Sequence, residues 1–249
     1  AKELATFQGN DICLNGLSSI DDEVAKELAK FQGNLYSFGG LHTIDQILAK
    51  ELAKFQVGLY LPGLTSIDKD VAKELINFQG GALWLVGLTS IDRDSAQELA
   101  KIKGTRLSLS GLTSLTPDVA QKLVGFKVEN LSLNGLLSID KELAQELAKS
   151  KGGLSLNGLT SINKEVAQEL AKSEAIRLWL DGLNSIDKEL AYELAQFKGG
   201  LILNGLTSID KESARELVQK KGSLYLKGLT SIDDETLKIL KSYPSITLP

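Results

Sequence analysis

Apolar residues recur along this chain in a fixed two-part pattern. A short alternating run such as Leu154-Ser155-Leu156 reads as a strand with one buried face, because successive side chains point to opposite sides. A stretch such as Val24-Ala25 followed by Leu28-Ala29 then spaces apolar residues along one helical stripe. Its small alanines let the helix lie close to a sheet. The pair of elements repeats ten times, anchored by Ile20, Ile44, Ile67, Ile91, Leu115, Ile139, Ile162, Ile186, Ile209 and Ile232 at spacings of 23 or 24 residues. From the first apolar strand position to the anchor is always eight residues, and from the anchor to the helix end always eleven. Length varies only between helix and next strand, where loops tolerate it and packed elements do not.

Two further positions sharpen the unit. Glycine follows the strand in every copy, from Gly16 to Gly228, so a side chain is intolerable there through positive φ or a close backbone approach. A leucine follows that glycine and is expected in the core. Directly after the anchor stands Asp21, Asp45, Asp68, Asp92, Thr116, Asp140, Asn163, Asp187, Asp210 or Asp233, each predicted to cap a helix N-terminus. An acid two residues after the cap, such as Glu23 or Asp70, meets the positive end of the helix dipole. Pro117 falls in the first helical position, where proline costs least. One unit cannot bury its own apolar face, so stacking against neighbours must do it.

The alternating strand, fixed turn and following helix, as in LILNGLTSIDKESARELVQKKGS from residue 201, resemble the leucine-rich repeat of bacterial type over the whole chain. The resemblance implies an α/β, right-handed leucine-rich-repeat solenoid, with a parallel sheet on one face and parallel helices on the other. It also implies a concave strand face used for protein recognition. The family's Asn ladder position here reads Gly-Leu. The Ser or Thr before each anchor, from Ser19 and Thr43 to Ser208 and Ser231, is expected to supply a replacement ladder.

Charge narrows the function classes. Twenty-eight basic against 32 acidic residues give a formal charge of −4, which disfavours nucleic acid as a partner. No apolar stretch approaches the ~18 residues of a membrane span. The single cysteine, Cys13, rules out an intrachain disulfide. His42 is the only histidine and has no second His or Cys near it in the repeat frame, so no catalytic set, metal site or cofactor site is expected. The repeated aspartates carry no calcium-binding nonapeptide pattern and are explained by capping.

Partner information should lie where the strands vary. The central strand residue runs Cys13, Ser37, Tyr60, Trp84, Ser108, Ser132, Ser155, Trp179, Ile202, Tyr225 and Thr247, and should point away from the core. Both tryptophans of the chain fall in this one position. Arg106 and Arg177 share the face, as do Asp181 and Lys227 at the other strand end. Tyr60, Trp84, Arg106, Arg177, Trp179, Ile202 and Tyr225 therefore form the candidate binding face for a protein or glycan. Cross-strand aromatic pairing that only stiffens the sheet is the competing reading.

The frame treats 1–249 as a single repeat domain with partial repeats at both ends, expected to belong to a longer array. Uncapped ends would allow end-to-end self-association. The alternative to a recognition module is therefore a spacer or self-stacking array segment without a specific ligand. An extracellular or cell-surface setting is expected over a cytoplasmic one.

Overall fold

Each predicted cap opens a helix. In the computed structural model, which describes residues 9–102, 106–125 and 129–249, the side chains of Asp21, Asp45, Asp68, Asp92, Thr116, Asp140, Asn163, Asp187, Asp210 and Asp233 all accept a backbone N–H from the first helical turn. The amide and hydroxyl of Thr236 together hold Asp233 below the usual aspartate range. These helices have only seven or eight residues. A helix so short is marginal in water, so capping and packing must hold it.

The chain forms two compact units, 1–132 and 133–249. In the first, strands β1 (Asp11–Cys13), β2 (Leu35–Ser37), β3 (Gly58–Tyr60), β4 (Ala82–Trp84), β5 (Arg106–Ser108) and β6 (Asn130–Ser132) alternate with helices α1 (Asp22–Leu28), α2 (Gln46–Leu52), α3 (Lys69–Leu75), α4 (Arg93–Leu99) and α5 (Pro117–Leu123). The strands pair in parallel and in sequence order, with Ile12, Tyr36, Leu59, Leu83, Leu107 and Leu131 in one register row. The second unit repeats the plan. Helix α6 (Lys141–Leu147) is followed by β7 (Gly153–Ser155), α7 (Lys164–Ala171), β8 (Arg177–Trp179), α8 (Lys188–Ala195), β9 (Gly200–Ile202), α9 (Lys211–Leu217), β10 (Leu224–Tyr225), α10 (Asp234–Lys241) and β11 (Ile246–Thr247). Leu154, Leu178, Leu201, Leu224 and Ile246 form its register row. Each unit is an α/β solenoid segment with strands on one face and helices on the other.

The core is built from the rows that the pattern predicts. The helix alanines and leucines, for example Ala72 with Leu75 and Ala144 with Leu147, are fully buried against the strand leucines. Each such leucine contributes roughly 1.5–3 kcal/mol. The leucine after the turn glycine is buried from Leu41 to Leu229, but Leu17 is 39% exposed. At the helix-end position Phe31, Phe55, Phe78, Ile102 and Phe197 are buried, and so are the unlike residues Ser150, Ser173 and Lys220. Phe126, at the same position, and residues 1–8 lie outside the described residues.

Lys220 is accommodated by carbonyls. Its Nζ donates to the backbone oxygens of Phe197, Gly199 (2.7 Å) and Lys221 (2.9 Å), and stands 5.0 Å from the centre of the Phe197 ring. Burial pushes its ammonium down to about 8.

The turn after the strand carries the interlock between repeats. Within the second unit, the side-chain oxygens of Asn134, Asn157, Asp181 and Asn204 accept the N–H of residues 157, 181, 204 and 227 in the next repeat, at 2.9, 2.9, 2.7 and 3.0 Å. Asn15 does the same for Gly39 in the first unit at 2.8 Å. This is an asparagine-type ladder, set at the second residue after the strand. The Ser and Thr residues before each anchor, expected to replace it, are instead exposed, from Ser19 to Ser231. They sit beyond the last core leucine, where the chain has already turned toward the cap. Elsewhere in the first unit the ladder place holds Gly39, Pro62 and Val86, which have no side-chain acceptor to offer, and Ser110, whose hydroxyl bonds to those of Ser108 and Ser132 at 2.9 Å.

The glycine beside this ladder is explained by the same contact. A Cβ on Gly63, Gly87, Gly158, Gly182, Gly205 or Gly228 would collide with the backbone oxygen of the ladder-position residue one repeat earlier. None of these glycines has a positive φ, so close approach alone excludes a side chain. Gly16 differs, since a Cβ there would meet nothing within 4 Å.

Two predictions follow from these contacts. Gly182→Ala is expected to cost about 1–3 kcal/mol by overpacking, and Gly16→Ala less than about 0.5 kcal/mol, in urea unfolding. For Lys220, the unfolded chain binds more protons than the fold between pH 8 and 10.5, because the folded ammonium sits below its ordinary value of 10.5. The stability of the wild type relative to Lys220→Met should therefore rise as pH climbs through that window. A difference independent of pH would contradict it.

Candidate binding face

Parallel pairing in register stacks the variable central strand positions side by side, on the side of the sheet away from the helices. In the first unit Tyr60 lies opposite Trp84, with ring centroids 6.5 Å apart and planes at 77°, an edge-to-face contact. Both side chains are half-buried. The indole reaches over β3, because Gly58 has no side chain: a Cβ there would stand 2.7 Å from Trp84 Cζ3. Arg106 begins β5 opposite Ala82, is exposed, and pairs through Nε with the Glu129 carboxylate at 3.5 Å. Asn130, opposite Arg106 in the register, keeps a buried carboxamide oxygen without a hydrogen-bond partner. Trp84, Arg106 and Glu129, together with Asn34, Gln56, Gly58 and Gly81, line a cavity of about 430 Å³.

In the second unit Trp179, Ile202 and Tyr225 are consecutive register partners on β8, β9 and β10. Trp179 and Tyr225 are half-buried. Ile202 departs from the expectation of an outward-facing contact residue, being only 5% exposed. Its smaller side chain stands between two large aromatic neighbours that cover it. It serves as packing under the patch. Arg177 opens β8 and is exposed, and Gly200 opposite leaves room for its stem. Asp181 and Lys227, expected at the margin of the face, belong to the turn ladder, where Asp181 accepts from Asn204 and Lys227 donates to it.

Three of the four serines of the same row are closed rather than open, Ser132 being half-buried. Ser37, Ser108 and Ser155 are buried, and their hydroxyls bond to Asn15 at 2.6 Å, Ser110 at 2.9 Å and Asn134 at 2.7 Å. The sequence therefore brings Tyr60, Trp84 and Arg106 together in one unit, and Arg177, Trp179, Ile202 and Tyr225 in the other. Sequence reasoning missed Asn34, Gln56, Gly81 and Glu129, which come from the helix-to-strand turns. The one signal pointing there was the variable length of those turns.

The remaining candidates are peripheral. His42 is exposed, with Nδ1 3.0 Å from the Gly63 carbonyl oxygen, and Cys13 is exposed. Among the described residues no three His, Cys, Asp or Glu side chains are grouped to hold a metal ion, and no helix is long and apolar enough to cross a membrane. On the helix side of the second unit, a cavity of about 1000 Å³ opens beside Ser173, where other repeats carry phenylalanine.

The fold defined by these repeats is the leucine-rich-repeat fold. Among solved structures the chain is similar to the Toll–Spatzle complex from Drosophila, at 14% identity and a TM-score of 0.55, covering 93% of this chain and 31% of that one. It is also similar to the TLR13–ssRNA13 complex, at 15% identity and a TM-score of 0.54, covering 98% of this chain and 36% of that one. The chain thus spans about a third of the length of these two relatives in fold. No protein-family model and no curated protein sequence matches it.

The placement of Trp84 can be tested directly. Gly58→Ala should lift the indole off β3 and shift its emission to the red, read in a Trp179→Phe background that leaves Trp84 as the only tryptophan. Unchanged emission would mean the ring does not rest on that glycine.

Proposed function

We propose that this chain is a non-catalytic recognition module that binds a protein or glycan partner through the strand faces of its units. The observation that carries the reading is the row of half-open strand-face aromatics, Tyr60 register-paired with Trp84, and Trp179 and Tyr225 on either side of Ile202, with an exposed arginine in each unit, Arg106 and Arg177. Aromatic and arginine side chains dominate interface hot spots, because the rings bury much area at little entropy cost and the guanidinium donates through a rigid planar fork. Stiffening alone would not call for the neighbouring arginines. The fold neighbours support a ligand-binding use of such a scaffold, Toll being seen with Spatzle and TLR13 with ssRNA13. The acidic balance of this chain favours a protein or glycan over nucleic acid.

The test uses the chain as bait in partner capture. Trp179→Ser combined with Tyr225→Ser should reduce retention about tenfold or more. Tyr192→Ser, which alters an aromatic 52% exposed on helix α8, should leave it within about twofold. Retention indifferent to the strand-face change overturns the reading. Association only with itself, seen as mass rising with concentration in light scattering, would assign the chain to a self-stacking array instead.

A further inference from the structure

The cavity beside Trp84 has a composition that the rest of the strand face lacks. Its volume of about 430 Å³ is within the ~300–1,000 Å³ of small-ligand clefts. One wall is the indole of Trp84, whose Cζ3 reaches over Gly58. The polar lining is planar throughout: the carboxamides of Asn34 and Gln56, and the guanidinium and carboxylate of the Arg106–Glu129 pair. Gly81 adds an independent observation. A Cβ there would meet nothing within 4 Å and its φ is not positive, so neither packing nor backbone conformation requires glycine at this position. Gly81 lines the cavity, and any larger side chain would take up its space.

We propose that this cavity binds an uncharged carbohydrate ring. The inference rests on the strand-face reading above and names the ligand class for one site in the first unit. A sugar ring carries C–H groups on a face that stacks on an indole, and hydroxyls at its rim that both donate and accept. The carboxamides can do both in return, the guanidinium donates, and the Glu129 carboxylate accepts. Arg106 and Glu129 cancel each other's charge, so the lining favours a neutral ligand. A sulfated or carboxylated sugar would meet Glu129 unfavourably.

The experiment is isothermal titration calorimetry of the whole chain with neutral hexasaccharides: β-1,4-linked glucose, β-1,4-linked N-acetylglucosamine and α-1,4-linked glucose. At least one is expected to bind saturably. A Cβ at Gly81 meets nothing within 4 Å, so Gly81→Leu should retain the wild-type melting temperature while filling the cavity, and weaken that binding about tenfold or more. Trp84→Ala should weaken it similarly, and Tyr192→Ser should not. No saturable binding by any of the three, undiminished affinity in Gly81→Leu, or binding of heparin alone would each overturn the proposal. If saccharide binding is absent while partner capture still depends on Trp179 and Tyr225, this inference fails by itself and the broader recognition reading stands.

Discussion

Each repeat touches the next most closely where the chain leaves its strand. There the backbone oxygen of one turn occupies the space that a side chain would need on the glycine of the next, as Asn157 does against Gly182. Four times in a row in the second unit, the same turn residue also accepts a hydrogen bond from the following turn through its side chain. Glycine and acceptor together set the distance between repeats. At that distance the strands pair in parallel and the leucines of adjacent units meet across one core row. Every other contact is built on this spacing.

The helix side is more permissive, and the contrast is physical. Cap and stripe positions hold nearly one residue type, because a helix of seven or eight residues fails without them. The helix-end position instead accepts phenylalanine, isoleucine, serine and lysine, all buried. Phenylalanine fills the space by itself. Serine leaves room beside it, as at Ser173. Lysine works only because turn carbonyls converge on its ammonium, at the cost of a depressed proton affinity. Ion pairs along the helices add regularity more than stability. The cation at the first position of one helix meets the acid at the second position of the next, as in Lys69 with Asp94 and Arg93 with Asp118, both 3.2 Å apart and exposed.

On the strand face, size decides what each central residue does. Ser37, Ser108 and Ser155 sink below the surface and bond to turn residues, Ile202 lies buried between two aromatic strand neighbours, and the large aromatics keep area for a partner. A row that reads in sequence as one outward-facing list therefore divides into contact residues and packing residues. Trp84 is additionally steered by an absence, since the glycine on the neighbouring strand leaves room for its ring to reach over that strand. The polar side chains around it come from the elastic turns.

Periodicity alone determined the strand, turn and helix of each unit, their parallel stacking and all ten caps. Those features depend on local chemistry repeated at fixed spacing, and a local rule can be read locally. Tertiary structure decided the rest. The ladder lies two residues after the strand because there a side-chain acceptor of one turn comes within hydrogen-bonding distance of the next turn's backbone, a separation no single repeat contains. The glycine is required by its neighbour's carbonyl and not by its own φ, which again is a property of two repeats. Ile202 is buried because of what flanks it on either strand, and the cavity beside Trp84 gathers residues from several successive repeats that no spacing rule joins.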